Sequence, residues 1–94
     1  MSVWQAVPGS LRTSEGELVS VSIATDPRDL ESLLEALARL SFPVNPQIYH
    51  SPETIVEFPA YSGGLDEVRR VLGGHGVDAR RIRVADMLAE LQSR

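Results

Sequence analysis

The chain has 94 residues, 43% of them hydrophobic and 23% charged, which fits one globular core and is too short for two. Its net charge of −4 puts nothing overall behind phosphate neutralisation, so nucleic acid is not an expected partner. With no cysteine, disulfides, thiolate nucleophiles, iron–sulfur clusters and cysteine-ligated zinc are all excluded, and a reducing cytoplasm suits the composition.

The opening stretch MSVWQAVPGSL has neither the basic start nor the continuous apolar run of a secretory signal. No later stretch approaches the roughly 18 apolar residues of a membrane span. The expectation is a soluble, cytoplasmic chain with no membrane partner. Val3, Trp4, Ala6 and Val7 suggest a short edge strand in an N-terminal arm, ended by Pro8-Gly9 and followed by a TSEGE loop. In 18–25, Val19, Val21 and Ile23 alternate with Ser20, Ser22 and Ala24, the period-two pattern of a half-buried strand.

That strand runs into a helix start. Asp26 can cap, Pro27 suits the first helical position, and Asp29 adds negative charge at the positive end of the helix dipole. Leucines 30, 33, 34, 37 and 40 then recur at helical steps and predict a helix over 27–40. Pro43 and Pro46 end it, because each disfavours helical geometry in the residue before it. A strand follows at Gln47–His50, SPE turns the chain, and TIVEFPAY at 54–61 returns with Val56 and Phe58 on one face and Ile55, Glu57 and Tyr61 on the other. Pro59 in that strand marks a bulge or an unpaired stretch.

SGG at 62–64 leads into a second helix, with Leu65, Val68, Val71 and Leu72 on one face, and the glycines at 73, 74 and 76 cap its end. ARRIRV at 79–84 reads as the last strand, with Ile82 and Val84 inward, and DMLAELQ as a short closing helix.

The order β-α-β-β-α-β predicts an α+β fold: a two-layer ferredoxin-like sandwich, or α/β plait, with two helices on one face of a four-stranded antiparallel sheet. It forms a single domain over 1–94, with an arm at 1–16, a core at 17–84 and a C-terminal helix at 85–94. The expected core is Val21, Ile23, Leu30, Leu34, Leu37, Val56, Phe58, Val68, Leu72 and Ile82. The strand that enters Asp26-Pro27-Arg28-Asp29-Leu30 and opens a leucine-striped helix resembles the ACT-type regulatory domains of the ferredoxin-like class. The resemblance spans 18–84 and implies a regulatory domain whose loop approaches a bound amino acid through a glycine. This chain carries Arg28-Asp29 there.

Among side chains able to do chemistry, His50 offers an imidazole suited to acid–base work and sits with Tyr49, Glu53, Glu57 and Tyr61 in the hairpin. It reads either as a general base or anion ligand, or as a half-exposed histidine ahead of a turn. His75 decorates a helix terminus. Neither histidine has a metal-ligand spacing, so no metal is expected, and the glycine run follows a helix rather than a strand and carries no lysine, unlike a phosphate loop. Arg80, Arg81 and Arg83 invite an RNA reading, but the strand that would stack bases carries Glu53 and Glu57. Arg81 and Arg83 fall instead on the open face of the sheet.

The expected function is a non-catalytic regulatory or accessory module, homodimeric and without cofactor, acting through a small ligand or a protein contact. Tyr49, His50, Glu57, Tyr61, Arg81 and Arg83 are its candidate contact residues. The alternative is a small dimeric ferredoxin-like enzyme, isomerase- or lyase-like, with His50 as its acid–base group.

Overall fold

The computed structural model describes residues 12–13 and 16–87. Strand β1 (Arg12–Thr13) pairs antiparallel with the start of β2 (Gly16–Thr25). Gly16 has φ 105°, a left-handed conformation open to glycine, and a Cβ there would run into the Ser62 hydroxyl, which accepts a hydrogen bond from the Glu17 N–H at 3.0 Å. Helix α1 (Leu30–Leu37), strands β3 (Gln47–Tyr49) and β4 (Thr54–Tyr61), helix α2 (Leu65–Gly74) and strand β5 (Ile82–Asp86) follow in that order.

β2 pairs with β4 from Leu18↔Tyr61 to Thr25↔Thr54 and with β5 from Val19↔Asp86 to Ile23↔Ile82, while β3 pairs with the outer side of β4. The main sheet therefore runs β5-β2-β4-β3, antiparallel throughout. Residues directly opposite in such a ladder share a face. Val19, Val21, Ile23, Val56, Phe58 and Ala60 form one buried cluster with Leu33, Ala36 and Leu37 of α1 and Val68 and Leu72 of α2. The result is an α+β arrangement of a four-stranded antiparallel sheet and two helices, compatible with a ferredoxin-like sandwich. Among the described residues no helix is long and apolar enough to cross a membrane.

The predicted helix 27–40 is shorter than its pattern. Pro27–Asp29 is a 3-10 turn, the α-helix covers Leu30–Leu37, and turns follow it. Its buried side is Leu33, Ala36 and Leu37, continued by Leu40, whereas Leu30 and Leu34 are half-buried at the margin. At about 100° per residue the buried arc runs from Ala36 through Leu40 and Leu33 to Leu37, with Leu30 and Leu34 beyond Leu37, so the buried side is turned away from Leu34 toward the one non-leucine. Asp26 caps as expected, accepting from the Arg28 N–H.

Residues 79–84 are not one strand. Asp78 caps a 3-10 turn over Ala79–Arg81, and β5 begins only at Ile82 and runs on through Ala85 and Asp86. Ile82 and Val84 lie opposite Ile23 and Val21 on one face, but only Ile82 packs against the core, and Val84, expected inward, is exposed at the sheet's edge. Pro59 makes no bulge, since Ser20↔Pro59 lies in an unbroken register. The unpaired stretch is what occurs: β3 ends at Gln47↔Glu57, so it gives β4 no partner beyond Glu57. The Ser51–Pro52 peptide bond in the turn ahead of β4 is cis. Gly73 and Gly74 belong to α2, and Gly76, with φ 86°, ends it while Val77 and Gly76 donate to Leu72 and Gly73 carbonyls at 3.0 Å. The strand expected at 3–7 and Trp4 lie outside the described residues, and of the C-terminal helix expected at 85–94 the first two residues, Ala85 and Asp86, belong to β5 while 88–94 lie outside the described residues.

Candidate functional site

Because Ile23 faces Ile82, the end of β2 and the start of β5 lie side by side, and two turns distant in sequence meet there. They are one device used twice. Asp26 Oδ1 accepts from the Arg28 N–H at 2.9 Å, and the Arg28 guanidinium donates to both carboxylate oxygens at 3.3 Å. Asp78 Oδ1 likewise accepts from the Arg80 N–H at 2.9 Å, with guanidinium bonds of 3.3 and 3.0 Å. An aspartate that bonds the backbone two residues on stabilises such a turn by itself.

The electrostatics follow. The Arg28 side-chain hydrogen bond, then its backbone N–H, holds the Asp26 carboxyl below its usual range, and Asp26 in turn raises the Arg28 guanidinium. Arg80 lowers Asp78 in the same way, and the charge of Arg81 acts on both aspartates. The Arg28 and Arg80 side chains themselves stand in solvent, 89% and 91% accessible.

A polar cleft of about 450 Å³ opens between the two turns, with Asp26, Asp29 and Ser32 on one side and His75, Asp78 and Arg81 on the other. Asp29 and Arg81 make no side-chain hydrogen bond or ion pair among the described residues, although the charge of Asp29 acts on Arg28 and that of Arg81 on Asp26 and Asp78. The cleft thus offers one carboxylate and one guanidinium with unused hydrogen-bonding capacity, flanked by two carboxylates already clipped. No cluster of three His, Asp or Glu residues suited to a metal occurs among the described residues.

The six residues singled out in the sequence do not converge. Only Arg81 lines the polar cleft. Tyr49 stands on the outer strand, 45% exposed, its hydroxyl donating to Gln47 Oε1 at 2.9 Å. His50 is exposed beside it, Nδ1 3.3 Å from Thr54 Oγ1, and lines none of the hollows described here. Glu57 lies mid-sheet on the open face, accepting from Ser22 Oγ at 3.1 Å, and Arg83 flanks Ser22 on the other side. Tyr61 ends β4, six residues or roughly 20 Å along the strand from the partner of Tyr49, in an apolar hollow of about 330 Å³ with Leu18, Phe42 and Pro59.

In the sequence Asp29 and His75 read only as helix-end residues, and Asp78 carries no reading at all. The signal that points to their role is the repeated Asp-x-Arg of Asp26-Pro27-Arg28 and Asp78-Ala79-Arg80. Compared with known proteins, the chain matches no family model, no curated protein and no solved structure.

Proposed function

We propose that the chain is a ferredoxin-like βαββαβ module, ACT-like in design, that binds a small polar ligand without turning it over and acts as a regulatory or accessory homodimer. The observation that carries this is the cleft between the two Asp-x-Arg turns, where Asp29 and Arg81 line a hollow of about 450 Å³ without a side-chain hydrogen bond or ion pair among the described residues. A space of that size suits a small molecule, and its opposed charges suit one that carries both signs, such as an amino acid or a related zwitterion. The ammonium group would face Asp29 and the acidic group Arg81. Residues 26–29 and 75–81 are loop and turn segments held by a paired sheet, the usual arrangement for binding groups.

Isothermal titration calorimetry with a panel of amino acids tests this. Arg81→Ala and Asp29→Asn should each weaken the bound member by at least about tenfold, the value of losing one charged hydrogen bond. His50→Ala should leave affinity unchanged. Binding lost with His50→Ala and kept with Arg81→Ala would move the site to the hairpin and revive the enzyme reading.

A further inference from the structure

The face of the sheet turned away from the helices carries two charged side chains among its strand positions, Glu57 and Arg83. The remaining positions there are Leu18, Ser20, Ser22, Ala24 and Ala85, with Gln47, Tyr49, Ile55, Pro59 and Tyr61. The two charges are of opposite sign and lie in one row across the sheet, because Ser22 is opposite Glu57 on one edge and opposite Arg83 on the other. Neither makes an ion pair within the described chain, and the sole hydrogen bond of the Glu57 carboxylate comes from the neutral Ser22 hydroxyl. They stand two strand spacings apart, about 9.6 Å of sheet, with Ser22 between them, and do not pair with each other.

The geometry points to a second copy of this chain stacked face to face on this surface, about a two-fold axis that runs parallel to β2 and passes over Ser22. Rotation about such an axis keeps position along the strands and exchanges left for right. Each Arg83 then lies over the Glu57 of the other copy, and Ser22 meets Ser22. An axis across the strands would instead stack Arg83 on Arg83 and Glu57 on Glu57, so the charges select one orientation. Facing sheets pack about 10 Å apart with strands aligned to within about 30°, a gap that an arginine and a glutamate span together. The small residues of β2 let the sheets approach, and an isologous contact repeats each ion pair twice. The inference rests on the self-association proposed above and adds its surface and its orientation.

Sedimentation velocity at micromolar concentration tests it. The unaltered chain should be a dimer. R83E and E57R should each raise the dissociation constant by at least about tenfold, since each variant alone sets two like-charged contacts against one another. The double variant R83E/E57R should dimerise again. So should an equimolar mixture of the two single variants, in which both cross-contacts become complementary. The mixture also separates charge pairing from damage to the fold, because misfolded chains would not rescue each other. A monomeric unaltered chain would overturn both the self-association and this surface. A dimer indifferent to R83E and E57R, or a mixture that stays monomeric, would overturn the surface and orientation alone. Calorimetry at the polar cleft is unaffected by either result, so the ligand reading stands or falls separately.

Discussion

Glu67 joins the two helical segments by a single side chain. From the first turn of α2 it accepts from the Ser41 N–H at 2.6 Å and from the Ser41 hydroxyl at 2.7 Å, tying down the loop that leaves α1. The Ser41 hydroxyl, then its N–H, holds the Glu67 carboxyl below its usual range. A carboxylate whose folded value is depressed contributes stability that is present above its unfolded value and is lost as pH falls through the lower folded value. Denaturant unfolding of the unaltered chain and Glu67→Gln should therefore differ most near neutrality, and the gap should close as pH is lowered from about 6 to about 3. Asp26 and Asp78 titrate in the same window but are common to both chains, so their contribution cancels in the difference. A gap that stays constant across that range would show that the Ser41 contact survives protonation and that charge plays no part in it.

At the scale of elements, α1 distinguishes two adjacent leucines that its pattern treats alike. Leu33 is 3% exposed within the core, whereas Leu34 is half-buried beside the hollow that Phe42 and Pro43 border. Leu33→Ala should cost about 2–5 kcal/mol, the range for emptying a fully buried leucine site. Leu34→Ala should cost distinctly less, because its neighbourhood is open to water and no closed cavity forms. Equal losses in thermal unfolding would mean that the helix is rotated from the position described. The sequence could be read for the helix but not for its rotation, since five leucines cover a broad arc and the buried side is turned past its edge to Ala36, a residue that no leucine stripe singles out. Arg81 shows a second limit. Alternation over 79–84 looks like a strand, but the Arg80 N–H donating to Asp78 Oδ1 and the Arg81 N–H donating to the Asp78 carbonyl turn its first half into a 3-10 turn. By contrast, β4 buries every second residue as its alternation predicts, and β2 departs from it only at Ser20, which is buried between Val19 and Val21.

For the whole molecule, the sheet order decides where cooperativity resides. The polar cleft was hidden from the sequence for this reason: Asp29 and Arg81 become neighbours only when β5 pairs with β2, a contact between strands at opposite ends of the described chain. β2 has partners on both edges over Val19–Ile23, and β4 is paired on both edges over Ile55–Glu57. Among the described residues β3 is held by three register pairs to β4 alone, and all three of its residues are exposed. Local opening follows such differences, since segments with few buried contacts separate before the global transition. In native-state hydrogen exchange, Val21, Ile23 and Phe58 amides should report the full unfolding free energy. The β3 amides should exchange earlier, through an opening that leaves the core intact. Face-to-face stacking as proposed above leaves β3 outside the overlapped strands and gives it no new strand partner, so this order should persist in the dimer. If β3 amides proved as slow as that of Ile23, its free edge would have to be paired with another strand. The subunit contact would then lie at the β3 edge and extend the sheet sideways, in place of the stacked arrangement joined by Arg83 and Glu57.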